Sequence, residues 1–373
     1  MNNLIERFKF NLANIQGWKT NRKIVVIESD DWGSIRNTGI DNIRKLKIAG
    51  IEADKCPYLM NDALESEEDL EQLFNVLKKY KDSNGNYPVF TSNVLVANPD
   101  LKKIKESDFS NYYNESVIQT FKNSKSSFNS LNLWKQGLEN KLFFPQSHGR
   151  EHLNIARWMQ DLQSNNLETR LAFELGIFGL SANVTKIKRG SYLAAYDLGT
   201  REKPYDRKNI VKEGLLEFEK LMGYKSRSFI APNYVWDNEI EEGLYEEGVE
   251  FIQSSFKQNV SKYADEKHKS VRHYTGKKNK DGLIYITRNV YFEPFENPKI
   301  DSVGLALKQI NTSFTWGKPV VISSHRANYI GSINESNRKD NLTLLDKLLS
   351  SIIKKWPEVE FMTTVQLGKL ISV

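Results

Sequence analysis

Short apolar segments, each ending in polar residues and separated by stretches with helical periodicity, are the feature that most constrains this chain. Such runs are typical of buried parallel strands, because helices cover both faces of a parallel sheet. The alternation predicts an α/β fold built on a parallel sheet or barrel. Eight strands are predicted, at residues 23–29, 88–94, 142–147, 226–231, 249–254, 283–287, 319–323 and 359–363.

Amphipathic stretches predict eight helices, at residues 65–80, 116–138, 152–165, 168–178, 207–222, 238–247, 301–316 and 338–356. The first helix begins with Ser66-Glu-Glu-Asp, which is a capping signal. Because no repeat and no Pro/Gly/Ser-rich linker divides the chain, we predict a single domain over residues 1–373. A polar excursion with a basic loop tip is expected at about 258–282, and its His268 and His273 are assigned no chemistry.

The composition is that of a folded, enzyme-sized protein, with 39% hydrophobic and 27% charged residues among 373, and excludes disordered, collagen-like and coiled-coil chains. The net charge is +6, but the Lys and Arg residues are scattered, so we predict no nucleic-acid partner. The sequence has no apolar stretch of about 20 residues and no secretory apolar segment at its start, so no membrane span is predicted. We therefore expect a cytoplasmic protein and leave its oligomeric state open.

Cys56 is the single cysteine, which excludes an intrachain disulfide and a thiolate metal site. A bound metal would therefore need nitrogen and oxygen ligands. His148 and His152 stand four residues apart after the strand predicted at 142–147, a spacing that many zinc sites use. A histidine pair at this spacing also arises by chance, so a purely structural role is the alternative.

Two other predicted strands also end in ionisable residues. Asp30 and Asp31 follow one of them, and His325 follows the other. Adjacent carboxylates repel each other unless a cation or a proton shares the site. The alternatives are that the two aspartates cap the following loop and that His325 is merely hydrogen-bonded. Because parallel α/β folds build their active sites at the carboxyl ends of the strands, we expect all these groups to meet.

Asp31, His148 and His152 would form an oxygen and nitrogen site for a divalent ion, with open positions for water and substrate. Asp30 and His325 remain without a metal, so one of them can accept a proton and the other can donate one. This set of groups predicts a metal-assisted hydrolysis.

The chain resembles the polysaccharide deacetylase family, also called the NodB-homology family. The family's Thr-Phe-Asp-Asp-Gly motif appears as Glu-Ser-Asp-Asp-Trp-Gly at 28–33, with a Trp inserted before the glycine. Its His-Ser/Thr-x-x-His motif appears at 148–152 with Gly149 in place of the hydroxyl residue, and its late Leu-x-x-His motif appears as Ile-Ser-Ser-His at 322–325. Order, spacing and strand context agree over residues 23–330, so the chain is identified as a divergent member.

The resemblance implies a distorted (β/α) barrel with seven strands. It implies that Asp30 is the general base, that the metal ligands are Asp31, His148 and His152, and that His325 is the general acid. It also implies one divalent metal ion, usually zinc, with cobalt or nickel in some members. The implied reaction is removal of an acetyl group from an N- or O-acetylated mono-, oligo- or polysaccharide.

The third family motif, Arg-x-Pro-aromatic, is altered in this chain. Its best match is at 229–234, where Ile230 replaces the arginine and Asn233 replaces the aromatic residue. In the family this arginine steadies the catalytic carboxylate, and here we predict that Arg150 or Arg326 substitutes for it. The backbone N–H of Asn233 is the corresponding oxyanion donor.

The aromatic residues that follow the motifs are Trp32, Tyr234, Trp236 and Tyr329. We predict that they form stacking surfaces for sugar rings, with burial in the core as the alternative. The altered motif leaves a catalytically impaired carbohydrate-binding relative as an alternative function. Another metal hydrolase on the same barrel, such as a glycosidase or a cyclic-amide hydrolase, is a second alternative. An iron oxygenase is a third, although Asp30 and His325 would have no role in it.

Overall fold

The computed structural model describes residues 10–11, 14–199, 201, 205–263 and 266–373. Within these residues the centre of the fold is a nine-stranded sheet, and all of its neighbouring strands pair in parallel. The strands of the protein, in chain order, are β1 (Lys23–Trp32), β2 (Phe90–Val94), β3 (Ala97–Pro99), β4 (Asn114–Ser116), β5 (Phe143–Ser147), β6 (Ser228–Ile230), β7 (Val235–Trp236), β8 (Phe251–Ser254), β9 (Lys257–Val260), β10 (Ser270–Arg272), β11 (Ile284–Thr287), β12 (Val290–Tyr291), β13 (Val320–His325) and β14 (Val359–Met362).

The predicted α/β class is confirmed, and each of the eight predicted strands lies in the central sheet. The strand order is β11-β8-β6-β5-β2-β1-β13-β12, with β14 paired to the first residues of β1. The strand β1 is longer than predicted and continues through the two aspartates to Trp32. It is buried over almost its whole length, which explains the continuous apolar run at its start.

The sheet is curled so that distant strands share one cluster. Ile24 of β1, Phe251 of β8, Ile286 of β11 and Val321 of β13 pack together. In a flat sheet, β1 and β11 would lie roughly 24 Å apart, because neighbouring strands are separated by about 4.8 Å. Among the described residues no strand pairing joins β11 to β12, so the sheet has nine strands and no closed hydrogen-bonded barrel, whereas the resemblance implied seven strands in a distorted barrel.

The α-helices whose bounds lie within the described residues are Ile40–Ile48, Pro57–Asn61, Glu67–Leu77, Leu101–Glu106, Val117–Asn123, Ser130–Glu139, Ile155–Gln163, Leu167–Glu174, Arg207–Met222, Asn238–Glu246, Ser302–Thr315, Glu335–Lys355 and Thr364–Ser372. The helix predicted at 116–138 is in fact two helices. The polar segment between them is anchored where the backbone N–H of Asn129 donates to Glu67 at 2.9 Å. The helix predicted from residue 152 begins at Ile155, because the side chain of Asn154 caps it.

The predicted polar excursion contains regular structure. Its strands β9 and β10 pair in antiparallel fashion, and β9 also pairs with β7. Residues 264–265 of the excursion lie outside the described residues. No helix in the described part of the chain is both long enough and apolar enough to cross a bilayer. The single domain over residues 1–373 stays a prediction.

Candidate active site

The carboxyl ends of the parallel strands converge on a cavity of about 490 Å³. Asp30 and Asp31 lie near the end of β1, His148 follows β5, and His325 ends β13. These four residues and His152 all line the cavity. The structure therefore brings together the five residues that the strand ends and motifs singled out.

The end of β1 departs from regular strand geometry. Its pairing with β2 shifts register between Ser29 and Trp32, and Asp31 has a left-handed φ of 75°. Successive side chains of a regular strand point to opposite faces, whereas here both Asp30 and Asp31 line the cavity. Gly33 completes the turn at φ 84°, and a Cβ there would lie 2.7 Å from a backbone carbonyl oxygen, so this turn requires glycine.

His148 and His152 lie in the loop that joins β5 to the helix Ile155–Gln163. The loop turns at Gly149, whose φ is 103°. A Cβ at Gly149 would lie 2.5 Å from the hydroxyl of Tyr196, which explains why glycine stands where the family has a hydroxyl residue. The centroids of the two imidazole rings are 5.1 Å apart. Because both residues lie in this loop and not in a helix, the turn at Gly149 brings the rings together.

One carboxylate oxygen faces both histidines. Oδ1 of Asp31 lies 3.4 Å from Nε2 of His148 and 3.4 Å from Nε2 of His152. Nδ1 of His148 lies 2.9 Å from the carbonyl oxygen of Ile230, and because a carbonyl only accepts, Nδ1 is the donor and Nε2 is the nitrogen that faces Asp31. Burial lowers the pKa of His152 to about 3, so its imidazole is neutral and able to bind a metal.

These three side chains fit a divalent metal ion. Their ligand atoms lie within 4.8 Å of one another. Within the described residues, Oδ1 of Asp31 and Nε2 of His148 are buried without a hydrogen-bond partner, which is costly unless another group satisfies them. One carboxylate oxygen and two imidazole nitrogens suit a borderline ion such as zinc and leave coordination positions open.

Asp30 is held by Arg288, an arginine that none of the motifs contains. The terminal nitrogens of Arg288 donate to both oxygens of Asp30, at 2.7 and 2.6 Å, and its Nε donates to Glu28 at 2.7 Å. Burial alone would raise the pKa of Asp30, but the charge and hydrogen bonds of Arg288 outweigh it and lower the pKa to about 2. Asp30 is therefore a carboxylate throughout the neutral pH range.

Arg150 and Arg326 do not contact Asp30, contrary to the prediction that one of them substitutes for the missing arginine. Their acidic partners are Glu151 and Glu213 for Arg150, and Asp62 and Glu65 for Arg326. Arg288 directly follows β11, just as the other site residues occupy the ends of their strands. Its place after an apolar run was thus the sequence signal that could have identified it.

Buried carboxylates outnumber buried arginines around the candidate metal site. The carboxylates are Glu28, Asp30, Asp31, Asp62 and Glu65, the arginines are Arg36, Arg288 and Arg326, and each side chain is at most 5% exposed. With every group ionised, the cluster carries two net negative charges, which a bound dication would balance. Burial raises the pKa of Glu28, Asp62 and Glu65, as expected for carboxylates whose charge is incompletely compensated.

His325 is oriented by Glu293, a second residue that the motifs do not contain. Nδ1 of His325 lies 2.7 Å from Oε1 of Glu293, and since a carboxylate only accepts, Nδ1 is the donor. Nε2 lies 3.8 Å from Asp30. Burial would lower the pKa of His325, but the charge and hydrogen bond of Glu293, with the charges of Asp30 and Asp31, raise it to about 10. His325 is therefore protonated at neutral pH.

Of the four aromatic residues predicted to stack on sugar rings, Tyr234 alone lines the cavity. Trp32 and Tyr329 are 0% exposed and Trp236 is 1% exposed, so these rings offer no face to a ligand and the core alternative applies to them. The hydroxyl of Tyr234 accepts a hydrogen bond from Arg288 at 3.0 Å.

Tyr58 is an aromatic cavity residue that follows none of the motifs. Its ring meets that of His325 edge-on, with centroids 5.5 Å apart. It lines the main cavity and an adjoining cavity of about 450 Å³. Asn233, which has a left-handed φ of 57°, lines both cavities as well. The other residues common to both cavities are Arg36, Ser191 and Leu193.

The two histidines of the polar excursion differ in their surroundings. His268, which was assigned no chemistry, lines the main cavity with its Nε2 3.6 Å from Asp197. His273 is buried and stacks between Trp236 and Tyr285, with centroid distances of 5.8 and 3.8 Å. The excursion therefore supplies part of the cavity wall, which its polar sequence did not indicate.

No protein-family model and no curated protein matches this chain. Among solved structures, it resembles a protein of Mycobacterium smegmatis that is named provisionally as a polysaccharide deacetylase. The two sequences are 10% identical, the match covers 96% of this chain and 93% of that chain, and the TM-score is 0.46. A 4-alpha-glucanotransferase of Thermococcus litoralis has 9% identity, covers 92% and 40% of the two chains, and gives a TM-score of 0.47. A CE4 family pseudoenzyme of Bacillus anthracis has 10% identity, covers 93% and 66%, and gives 0.38.

Proposed function

We propose that this protein is a metal-dependent hydrolase that removes an acetyl group from an N- or O-acetylated saccharide. The observation that carries the proposal is the Asp31, His148 and His152 group, flanked in one cavity by Asp30 and His325. These residues stand in the order and spacing of the polysaccharide deacetylase motifs that the sequence resembles. A divalent ion held there, with zinc the first candidate and cobalt or nickel the others, would supply a Lewis acid that polarises the acetyl carbonyl and acidifies water.

Asp30 is the proposed general base. Arg288 and Asn93 fix its carboxylate, since Nδ2 of Asn93 donates to Oδ1 at 2.7 Å in addition to the two bonds from the guanidinium. A fixed carboxylate can accept the proton of the attacking water without first reorienting, and general-base catalysis of this kind contributes about 10²–10⁴-fold. The contact with Arg288 favours an active enzyme over an impaired relative, because it fills the role of the missing family arginine.

His325 is the proposed general acid. Its Nδ1–H is held by Glu293, which leaves Nε2–H to protonate the departing amine or alkoxide of the saccharide. Nε2 lies 3.8 Å from Asp30, so the acid and the base are close enough to act on one bound acetyl group. Asn233, Tyr234 and Tyr58 line the same cavity and are proposed to contact the saccharide, with the backbone N–H of Asn233 facing the developing oxyanion.

The experiment that tests this function is acetate release from a panel of acetylated mono- and oligosaccharides, with and without a chelator. We expect release of acetate that the chelator abolishes and that added zinc, cobalt or nickel restores. Cleavage of the saccharide backbone without acetate would instead indicate a glycosidase. Glycan binding without any metal-dependent turnover would indicate an impaired relative.

Glu293→Gln is expected to move the alkaline limb of the activity profile to lower pH. The general acid must be protonated, so activity falls as pH rises through its pKa, which is about 10 in the wild-type protein. Glutamine keeps an acceptor for Nδ1 but removes the negative charge, so the pKa should fall toward the ordinary histidine value of about 6.5. The measurement is kcat against pH from 6 to 10 for both proteins.

Glu296→Gln is the matched control for this variant. Glu296 lines the adjoining cavity and accepts a hydrogen bond from Tyr58 rather than from the imidazole. We expect its alkaline limb to stay close to that of the wild type. An unchanged limb in Glu293→Gln would show that His325 is not the acid that this profile reports.

A further inference from the structure

A chain of buried charges begins at the second oxygen of Asp31. Nη2 of Arg36 donates to Oδ2 of Asp31 at 2.9 Å, and Nε of Arg36 lies 3.5 Å from Oδ2 of Asp62. The other oxygen of Asp62 accepts from Nε of Arg326 at 3.0 Å. Oδ2 of Asp31 is thus already engaged, and Oδ1 is the oxygen that faces the two histidines.

The last ion pair of this series contacts the same turn that contains Asp31. Nη1 of Arg326 donates to Glu65 at 2.7 Å, and the carboxylate of Glu65 accepts the backbone N–H of Gly33 at 3.0 Å. The turn that contains Asp31 is therefore held through its side chain at one end and through its backbone at the other. We call Asp31, Arg36, Asp62, Arg326 and Glu65 the Arg36 network.

The backbone of Asp31 needs such support. Its φ of 75° lies in the left-handed region, which a residue with a side chain keeps only where the surrounding structure imposes it. The side chains of Asp62, Glu65 and Arg326 are 0% exposed, so their contacts are shielded from competing water. A turn held in this way presents the ligand oxygen in one position before any ion arrives.

We propose that Asp62, Glu65 and Arg326 are positioning residues that set the metal affinity of the site through Arg36 and the turn at Asp31. They hold Arg36 on Oδ2, which leaves Oδ1 as a single ligand oxygen, and they fix that oxygen opposite the two imidazoles. This inference rests on the proposed function only in requiring that the site binds a divalent ion. Loss of outer partners of metal ligands typically costs about 10- to 100-fold in affinity.

The buried ion pair between Asp69 and Arg338 serves as the control for this proposal. Asp69 is 0% exposed like Asp62, and its carboxylate accepts from Arg338 at 2.8 Å. Oδ1 of Asp69 also accepts the backbone N–H of Gly331, and Oδ2 accepts the backbone N–H of Ser66 at the start of the helix Glu67–Leu77. None of these bonds goes to Arg36, to Arg326 or to the turn at Asp31. A general loss of stability would follow from disrupting either ion pair, whereas the proposed positioning role is held by Asp62 and not by Asp69.

The test is a titration of metal-free wild-type, Asp62→Asn and Asp69→Asn proteins with Co²⁺, followed by visible absorption, and with Zn²⁺ in competition with a chromophoric chelator. We expect affinity about 10- to 100-fold weaker in Asp62→Asn and unchanged in Asp69→Asn. Circular dichroism and thermal unfolding establish that each variant is folded. If Asp62→Asn does not fold, Glu65→Gln, which removes the charge opposite Arg326, takes its place with the same expectation.

Equal affinity in the wild type and in the folded Asp62→Asn or Glu65→Gln variant overturns the inference and leaves the proposed function intact. An equal loss in Asp69→Asn also overturns it, because the effect would then follow buried charge in general. Wild-type protein that binds neither ion overturns the proposed function, and the inference with it. Acetate release is not needed for any of these outcomes, so the two failures are distinguishable.

Discussion

His152→Ala is expected to lose bound metal and acetate release together. His152 supplies one of the two nitrogen ligands that the described residues bring to the candidate site, and its Nε2 lies 3.4 Å from the ligand oxygen of Asp31. With two protein ligands left, the site should release its ion in dilute solution, and the chemistry that the ion supplies goes with it. The measurement is metal content per chain after gel filtration, together with the rate of acetate release.

His268→Ala is the control for this result. It removes another of the four imidazoles that line the cavity, but one that lies outside the group of ligand atoms. We expect it to keep the metal and to retain turnover, with any effect confined to KM. Equal metal content in wild-type and His152→Ala proteins would contradict the proposed ligand set.

Asp30→Asn is expected to retain the metal while kcat falls by on the order of 10²-fold or more, because the substitution removes the base from the chemical step. Asparagine has nearly the same shape as aspartate, so the loss reports chemistry rather than packing. Arg288→Lys serves as the companion variant. A lysine cannot reproduce the two parallel bonds to Asp30, so kcat should fall here too, though less than in Asp30→Asn.

Measurement of kcat, KM and metal content for both variants checks this prediction. A fall in kcat at constant metal content supports Asp30 as the base. A kcat within a factor of three of wild type in Asp30→Asn would assign the proton transfer to another group. Loss of metal in that variant would instead indicate that Asp30 belongs to the ligand set.

Much of the fold follows from local patterns in the sequence. The apolar runs that became β1, β5 and β13 are buried strands, and their following polar residues reach one cavity. Parallel strands share one direction, so residues after different strands meet at the same edge whatever lies between them. This is why residues near positions 30, 148 and 325 could be expected to meet without knowledge of the loops.

Other features depend on contacts that local patterns do not contain. The helix predicted at 116–138 is divided at the Ser-rich segment 124–129, which ends where the backbone N–H of Asn129 donates to Glu67 in a distant part of the sequence. Trp32 and Trp236 follow site motifs closely, yet they point into the core. Whether an aromatic residue beside a motif faces a ligand or the interior depends on the layers packed above and below it, which one sequence does not specify.

The sequence by itself determined eight of the nine strands described in the central sheet, their carboxyl ends and the residue types gathered there, because apolar periodicity and strand direction are local properties. The tertiary structure alone decided the partners: Arg288 is 258 positions from Asp30, and Arg326 is 264 positions from Asp62. Arg288 meets Asp30 only because the sheet curls and brings the end of β11 close to the end of β1. Arg326 follows β13, the neighbour of β1, and meets Asp62 because the helix Pro57–Asn61 packs beside the residues that follow β13. Buried charges pair with the opposite charges that the tertiary structure places beside them, because an unpaired charge in the interior costs too much free energy.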